Sequence, residues 1–359
     1  MRPRDLSMHT PYAAGRGLEE VAAEIDADPA TLVKLSSNEN PLGPSPKAVE
    51  AIKEHAGTVN TYPKAAHNEL TERIATNWEL DPTQVWLGNG GDGALDYLAR
   101  ALLEPGAAVL VPDPGFSYYG MSVRYHHGHV HSYPLRKADD FAQTPAQVLD
   151  AYDGERIVYI ITPHSPTGTE MAHEDILTVA DEVGPETFVL VDEAYGAYSD
   201  RPSAVSLMEG RDDIGILRTF SKTYGLAGLR VGYILAPGAW ARAYESINTP
   251  FAVNELALRG AIAALGDDAF LDRSVEVAKW SREYLREHLT ARTWPSAGNY
   301  VLADVGDGAA VQQAAQQRGV IVRDCGSFGL PECIRITTGT EDGTRKAVSV
   351  INDVVAAER

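Results

Sequence analysis

Short apolar runs, each followed by a polar or glycine-rich stretch, recur through the first two thirds of the chain. Such runs, bounded by turn residues, are typical of buried β-strands. Amphipathic helical patterns, such as residues 173–183, separate several of them. This alternation predicts an α/β protein with a mostly parallel sheet of seven strands. The strands are expected at residues 85–88, 107–111, 129–135, 156–162, 187–192, 214–220 and 232–236.

The pattern changes after Pro237, where the composition becomes more helical and a long amphipathic pattern covers residues 268–289. We expect a bridging helix there, followed by a smaller α/β domain. Near the start of the chain, prolines and glycines surround one short helical patch at residues 18–25. The predicted parts are an N-terminal arm at 1–35, a large domain at 36–245, and the bridging helix with a small C-terminal domain at 246–359.

The 359 residues include 31 basic and 50 acidic side chains, which gives a net charge of −19. This balance opposes binding to nucleic acid or to an anionic membrane surface. No apolar run approaches the roughly 18 residues of a spanning helix, so we expect a soluble, cytoplasmic protein. Only eight basic residues are lysine. An acidic, lysine-poor surface favours a salt-adapted cytoplasm over the alternative, an ordinary acidic cytosolic enzyme.

One lysine stands apart from the others. Lys222 is the sole lysine between Lys137 and Lys279, and it lies in the stretch SKTYGLAGLRVGY between two predicted strands. Loops on a rigid scaffold often carry chemistry, and a lysine among hydroxyls and glycines is not typical of a solvated face. Its amine suits a Schiff base with a carbonyl compound, and with pyridoxal phosphate in particular.

Other residues of matching chemistry lie near Lys222 in the sequence. Asp192 ends an apolar run, at the carboxyl end of a strand, where open α/β sheets bind ligands. A carboxylate there can keep the pyridine nitrogen of the cofactor protonated. Ser221 and Arg230 are natural phosphate contacts. These residue types in this order favour a pyridoxal phosphate enzyme.

A glycine-rich stretch, WLGNGGDGA, joins the first predicted strand to a helical pattern. Glycines let backbone N–H groups approach a phosphate, and a helix N-terminus adds partial positive charge. Alone this is weak evidence, because many such stretches are merely tight turns. Ahead of the aspartate and the lysine it is expected to form the phosphate cup, with Gly90, Gly91 and Asp92 as its members.

The stretch around Lys222 resembles that of the fold-type-I, class II pyridoxal phosphate aminotransferases, and within them the histidinol-phosphate aminotransferases. The resemblance covers nearly the whole chain, and it includes SSNENPLGPS at 36–45, VIVRD at 320–324 and CIRI at 333–336. It implies a homodimer with shared active sites in the route of histidine biosynthesis. The implied reaction is pyridoxal phosphate-dependent transamination between L-histidinol phosphate and 2-oxoglutarate, which gives imidazole acetol phosphate and glutamate.

The resemblance assigns the catalytic and cofactor roles. It implies that Lys222 holds the cofactor and moves the proton, that Asp192 keeps the pyridine nitrogen protonated, and that Tyr195 contacts the phenolic oxygen. Tyr119 is expected to stack on the pyridine ring, with Tyr118 as the alternative. The other implied cofactor contacts are Gly90, Gly91, Asp92, Ser165, Thr219, Ser221, Arg230 and Tyr62 of the partner subunit.

The implied substrate contacts have structural alternatives. Tyr12 in the arm is either a substrate contact or a packing aromatic, and Asn38 is either a substrate contact or a turn former. Arg335 stands between two isoleucines and needs an anion. By resemblance Arg335 and Arg323 bind the carboxylate or the phosphate of the substrates, whereas the alternative is pairing with a carboxylate of the protein.

Two positions depart from the common family pattern. Ser165 stands where the family has the asparagine of N-P-T-G, and Gly91 stands where a serine or alanine is usual. A serine hydroxyl can donate to the phenolic oxygen, but from a shorter arm, so the bond is expected to be stretched or water-mediated. Backbone amides of the phosphate cup survive the second change.

Metal binding is not expected. The histidines of residues 126–131 alternate as on one face of a strand, but no carboxylate or thiol stands within the run, and a solvated edge is the expected structure. Cys325 and Cys333 lack metal-type spacing and are expected to be reduced, partly buried thiols.

Two other functions use the same apparatus. One is an aromatic amino-acid aminotransferase or a phosphothreonine-type decarboxylase, and only the decarboxylase releases carbon dioxide. The other is a non-catalytic pyridoxal phosphate-binding regulator, as occurs where this fold is fused to a DNA-binding module. The acidic charge and the lack of a basic helix-turn-helix segment before Ser36 oppose the regulator.

The acidic surface predicts a salt-dependent stability. At low ionic strength the carboxylates repel one another, and potassium chloride screens this repulsion. We expect the midpoint of thermal unfolding to rise strongly between low and molar potassium chloride. An unchanged midpoint would contradict the salt-adapted interpretation.

Overall fold

The computed structural model describes residues 15–357. Within this part no helix has the length and apolarity needed to cross a membrane. The helices are α1 (Leu18–Glu24), α2 (Pro46–His55), α3 (Lys64–Trp78), α4 (Gly90–Leu102), α5 (Ser117–Tyr125), α6 (Pro145–Ala151), α7 (His173–Val183), α8 (Ala241–Ile247), α9 (Glu255–Ala264), α10 (Asp268–His288), α11 (Gly308–Gln317) and α12 (Glu341–Ala357). The strands are β1 (Val33–Lys34), β2 (Val85–Asn89), β3 (Ala108–Asp113), β4 (His129–Pro134), β5 (Ile157–Ile161), β6 (Phe188–Asp192), β7 (Ile214–Thr219), β8 (Val231–Leu235), β9 (Arg292–Thr293), β10 (Tyr300–Asp304), β11 (Val320–Ile321), β12 (Arg323–Asp324) and β13 (Cys333–Thr337).

The large sheet contains the seven predicted strands, in the order β2-β8-β7-β6-β5-β3-β4. Strand β8 runs against the others, because it pairs antiparallel with both β2 and β7. The strand ends differ from the sequence prediction by at most two residues. The predicted α/β class with a mostly parallel sheet is therefore confirmed.

Both faces of this sheet are covered, which explains why its central strands read as continuous apolar runs. In β6, Val189 and Val191 belong to one core cluster, and Phe188 and Leu190 belong to another. Side chains alternate between the two faces of a strand, so Asp192 lies on the face of Phe188 and Leu190. Residues of α4 and α5 belong to the cluster on that face.

A second, antiparallel sheet has the order β12-β13-β10-β9. Side chains of α10, α11 and α12 pack in a third core cluster with this sheet. The predicted bridging helix is α10, which ends one residue before the predicted end. Strand β1 pairs in parallel with β11, with Val33 opposite Val320, so the end of the predicted arm contacts this smaller unit. The domain boundaries proposed after residues 35 and 245 stay a prediction.

Helix α4 begins earlier than the sequence pattern predicts. The glycine-rich stretch was expected to be a turn ahead of the helix, but α4 starts at Gly90, directly after β2. Gly90 has φ +76°, which glycine adopts without strain, and its N–H donates to the carbonyl of Arg230 at 2.8 Å. The glycines therefore form the first turn of α4 itself.

Helix α5 replaces part of a predicted loop. The sequence predicts a loop over residues 113–119, whereas α5 begins at Ser117 and places Tyr118 and Tyr119 on its first turn. Tyr119 and Val123, four residues apart, are both buried in the same core cluster. This pairing on one helix face stabilises the helix.

The loop that carries Lys222 packs against the loop at residues 36–45. The Asn40 side-chain amide donates to the carbonyl of Thr223 at 2.8 Å, and the Ser45 N–H donates to the carbonyl of Tyr224 at 3.2 Å. Gly225 has φ +70°, and a Cβ there would lie 2.1 Å from the carbonyl oxygen of Gly43. The close approach of the two loops therefore requires glycine at this position.

Replacing Gly225 tests this packing. Gly225→Ala should lower the free energy of unfolding by about 2 kcal/mol or more, because it combines a left-handed backbone with a collision against main chain. Gly228→Ala is the matched control, since a Cβ there would meet no described atom within 4 Å, and it should change stability by less than about 0.5 kcal/mol. Denaturant titration in molar potassium chloride measures both. Equal stabilities would contradict the packing argument.

Candidate active site

A cavity of about 450 Å³ lies at the carboxyl edge of the large sheet. Strands β2, β3, β5, β6 and β7 end at this edge, where β8 begins. Most of the site residues predicted from the sequence line the cavity. They are Asn38, Gly91, Asp92, Tyr119, Ser165, Asp192, Tyr195, Thr219, Ser221, Lys222, Arg230, Arg323 and Arg335.

Two predicted residues in the described part of the chain, Gly90 and Tyr62, are not part of this wall. Gly90 lies beside it, since a Cβ there would approach Nη2 of Arg230 to 2.4 Å. Tyr62 is 81% exposed and stacks on Phe251, with ring centroids 4.7 Å apart. Tyr12 lies outside the described residues.

One end of the cavity is suited to an anion. The first N–H groups of a helix have no hydrogen-bond partner within the helix. Among the described residues at the start of α4, the Asn89 side chain accepts no hydrogen bond from these N–H groups. Arg230 extends over this helix start, where it donates to the Asp92 carboxylate at 3.0 Å and to the Ser221 hydroxyl at 3.4 Å. Burial raises the pKa of Asp92, although Arg230 and Lys222 oppose the shift. Free N–H groups, a guanidinium and a hydroxyl are phosphate ligands.

Asp192 forms the inner wall of the cavity and is 5% exposed. Its Oδ1 accepts the Ala194 N–H at 2.8 Å, and its Oδ2 accepts the Tyr119 hydroxyl at 2.5 Å. Burial raises the pKa of Asp192 to about 6, although both hydrogen bonds favour the charged form. A positively charged ligand group in the cavity would offset the free-energy cost of burying the Asp192 charge.

Tyr195 lies between Lys222 and Asn38. The Asn38 amide donates to the Tyr195 hydroxyl at 2.9 Å, and Lys222 Nζ lies 5.4 Å from the centre of its ring. Burial acts to raise the pKa of Tyr195, but the charges of Lys222 and Arg335, together with Asn38, outweigh burial and lower it. Asn38 itself is held with φ +52° by two hydrogen bonds to the Thr337 hydroxyl. Thr337 was not found from the sequence.

Arg335 joins the smaller unit to the loops of the large sheet. It donates to the Ser165 hydroxyl at 2.9 Å and to the Ser36 carbonyl at 3.0 Å. Its Nε is buried and has no hydrogen-bond partner among the described residues. Arg335 is 7% exposed, and its contacts are neutral groups, so its charge is available to an anion in the cavity.

Two phenylalanines of the cavity wall were missed by sequence reasoning. Phe328 lies under Arg323 and Arg335, whose guanidinium carbons are each 5.8 Å from the centre of its ring. Phe116 contacts the Tyr119 ring edge to face, with centroids 5.5 Å apart. The position of Phe116 beside Tyr119 was visible in the sequence, whereas nothing local marked Phe328.

No metal centre emerges in the part of the chain that the structure describes: no three histidine, cysteine, aspartate or glutamate side chains converge there. Residues 129–131 of the histidine-rich run begin β4, which lies at the edge of the large sheet, whereas His126 and His127 lie in the turn after α5. Cys325 and Cys333 are free and buried, and burial raises the pKa of each thiol to about 12. The expectation of reduced thiols agrees with this environment.

A lysine, a buried aspartate and an anion-binding helix start at one edge of an α/β sheet are shared with a known class of enzymes. The family model for aminotransferase class I and II matches residues 30–351. The chain therefore belongs to the class I and II aminotransferase family.

Within that family, several similar curated relatives are histidinol-phosphate aminotransferases. The protein of that name from Natronomonas pharaonis is 62% identical over 355 residues, which cover 99% of this chain and 100% of the relative. The one from Haloferax volcanii is 59% identical over 356 residues, which cover 99% of each. These identities show that the chain is a member of the histidinol-phosphate aminotransferase group, as its motifs suggested.

Solved structures agree on the fold. A histidinol-phosphate aminotransferase from Sinorhizobium meliloti, in complex with pyridoxal 5'-phosphate, superposes with a TM-score of 0.88 at 26% identity and covers 100% of this chain and 98% of that chain. An aspartate aminotransferase from Thermus thermophilus with maleate superposes with a TM-score of 0.85 at 22% identity. This match covers 99% of this chain and 100% of that chain. The predicted fold-type-I architecture is confirmed.

The buried Asp192 predicts a pH-dependent stability of the ligand-free protein. Burial raises its pKa from 3.8 to about 6, so the folded state binds this proton more tightly than the unfolded state. The resulting stabilisation is complete below the ordinary pKa of 3.8 and is lost as the pH rises through 6. Relative to Asp192→Asn, the wild type should lose about 2 kcal/mol of unfolding free energy between pH 4 and 7.

Denaturant titrations at several pH values measure this difference. Asp200→Asn is the control, because the Asp200 side chain is 83% exposed and its loss should leave the curve parallel to that of the wild type. Parallel curves for Asp192→Asn as well would contradict the prediction.

Proposed function

We propose that this protein transfers an amino group between L-histidinol phosphate and 2-oxoglutarate, with pyridoxal phosphate as cofactor, in histidine biosynthesis. The observation that carries the proposal is the convergence of Lys222, Asp192 and the start of α4 at Gly91 and Asp92 on one cavity. The names of the relatives, at 54 to 62% identity over 99% of the chain, support the substrate.

The residues present fit pyridoxal phosphate. The start of α4 at Gly91 and Asp92, together with Thr219, Ser221 and Arg230, offers N–H, hydroxyl and guanidinium donors to its phosphate. Gly90, whose own N–H donates to the Arg230 carbonyl, is proposed to contact the phosphate through the space left by its missing side chain. Asp192 offers a carboxylate to the pyridine nitrogen, and Ser165 and Tyr195 offer hydroxyls to the phenolic oxygen. The likeness to a structure that contains this cofactor supports the same assignment.

The cofactor, when bound, supplies an electron sink that weakens the bond between hydrogen and Cα of an amino substrate. Lys222 would hold the cofactor through Nζ, and the same amine would move the proton from Cα as general base and return it as general acid. The Asp192 carboxylate would accept a hydrogen bond from the protonated pyridine nitrogen and so keep the proton on that nitrogen. The lowered pKa of Tyr195 suits a phenol that would share its proton with the phenolic oxygen of the cofactor.

The opposite side of the cavity is assigned to the substrate. Arg335, buried with an unpartnered Nε among the described residues, is proposed to bind the carboxylate of glutamate or the phosphate of histidinol phosphate. Arg323 is proposed to assist with the phosphate, and Asn38 to face the substrate while it holds Tyr195. Tyr12 keeps its proposed role as a substrate contact from the arm.

We propose a homodimer in which the partner subunit's Tyr62 reaches the cofactor phosphate. The 81% exposure of Tyr62 and the 44% exposure of Phe251, stacked on each other at the surface, support an interface there. Large exposed aromatic pairs are enriched in such interfaces.

An absorbance spectrum of the purified protein tests the proposal. Wild type should show a visible band of bound cofactor that shifts to shorter wavelength when L-histidinol phosphate is added. Lys222→Ala should lose this response, because the amine that moves the proton is gone. Lys279→Ala, which removes a lysine at 51% exposure, is the matched control and should behave as wild type.

The other outcomes separate the alternatives. A band that responds to glutamate or phenylalanine but not to histidinol phosphate would keep the chemistry and reject the substrate. Release of carbon dioxide would indicate a decarboxylase, and a band that responds to no amine would indicate a regulator. A protein with no band after addition of pyridoxal phosphate would overturn the proposal.

A further inference from the structure

Tyr119 contacts Asp192 through its hydroxyl rather than through its ring alone. We propose that Tyr119 is a positioning residue that keeps the Asp192 carboxylate ionised and fixes its orientation toward the pyridine nitrogen of the cofactor. This inference rests on the proposed function, and it goes beyond the stacking role that the family resemblance assigns to Tyr119.

Both oxygens of the Asp192 carboxylate accept a hydrogen bond from the protein. The Tyr119 hydroxyl donates to Oδ2 at 2.5 Å and the Ala194 N–H donates to Oδ1 at 2.8 Å. With one donor on each oxygen, rotation of the carboxylate would break both bonds, so its plane is held. Each oxygen keeps a lone pair for a ligand, since a carboxylate oxygen accepts more than one hydrogen bond.

Toward the ionised carboxylate, the Tyr119 hydroxyl acts as a donor. Tyr119 is 2% exposed, and burial, followed by the charge of Asp192, raises its pKa well above the ordinary value. Its phenol therefore stays protonated at neutral pH. Its ring is packed by Phe116 and by Tyr159, whose centroid is 4.8 Å away. The hydroxyl is thereby held on the carboxylate.

The groups around Asp192 act on its charge in opposite directions. Burial, the Asp92 carboxylate on α4 and the neighbouring Glu193 disfavour its charge, whereas Tyr119 on α5 and the Ala194 N–H favour it. Glu193 is itself paired with Arg218. The remaining titratable groups that face Asp192 are Tyr159 on β5, Tyr195, Tyr300 on β10 and, across the same cavity, Lys222.

The hydroxyl of Tyr119 is not needed for the packing of α5 on the sheet. Period-two alternation places Asp192 on the face of the sheet that α5 covers, and α5 presents Tyr119 to that face together with Val123. A phenylalanine would pack equally well in this cluster. The hydroxyl therefore adds a function that packing does not require.

Titration of Asp192 in the ligand-free protein tests the inference without any turnover. Carboxyl carbons labelled with 13C report the pKa by NMR, and the Asp192 signal is the one missing from Asp192→Asn. Tyr119→Phe should raise the Asp192 pKa by about one pH unit, because a hydrogen bond to the charged form is lost. Tyr133→Phe is the matched control: it removes a buried hydroxyl that donates to the Tyr159 carbonyl at 2.9 Å, and it should leave the signal unchanged.

Cofactor affinity provides a second readout through a double-mutant cycle. In the presence of Asp192, Tyr119→Phe should raise the dissociation constant of pyridoxal phosphate about tenfold. In the Asp192→Asn background, the same substitution should raise it less than about twofold. An equal loss in both backgrounds would show that the ring alone acts, as in stacking. That result, or an unchanged Asp192 pKa, would overturn the inference.

The outcomes also separate this inference from the proposed function. If no form of the protein binds pyridoxal phosphate, the proposed function fails, while the Asp192 titration still tests the contact. If Tyr119→Phe alone does not fold, the double variant with Asp192→Asn decides. Recovery of folding would support the coupling, because the unpaired buried carboxylate is removed, and failure of the double variant would overturn it.

Discussion

A carboxylate at the end of a fully buried strand is the constraint on which this active site depends. Asp192 follows four apolar residues of β6 and lies between β5 and β7, opposite Ile161 and Leu217. Desolvation of a charge in such a place is costly, and the protein offsets only part of this cost through the Ala194 N–H and the Tyr119 hydroxyl. The remaining cost is a driving force for binding a cation, which the protonated pyridine of the proposed cofactor would supply.

Most of the fold and the central residues of the site follow from local sequence patterns. The seven strands are short apolar runs between turn residues, and Lys222 is isolated in a loop between two of them. Because parallel strands end at one edge of a sheet, residues that follow β2, β5, β6 and β7 had to converge. The start of α5 was missed, because burial of Tyr119 and Val123 in tertiary packing decides it.

Contacts between distant parts of the chain could not be predicted. Arg335 meets Ser165 across 170 positions and Ser36 across 299, and no periodic pattern encodes which neutral group lies against a guanidinium. The Tyr119 hydroxyl bond to Asp192 depends in the same way on the register of α5 against β6. Sequence patterns identify which residues face an edge, but the packing of side chains decides which atoms meet.

Ser165 shows how such a contact changes the chemistry of one residue. The Ser165 oxygen accepts from Arg335 at 2.9 Å. Burial raises the pKa of Tyr300, and a hydrogen bond of Ser165 to that phenol acts to lower it. Ser165 is therefore held between two neighbours, and its proposed contact with the phenolic oxygen of the cofactor would draw on the single proton that a hydroxyl can donate. The same arginine is proposed to bind the substrate anion. Under these two proposals, the substrate anion and the cofactor contact of Ser165 would be linked through one guanidinium.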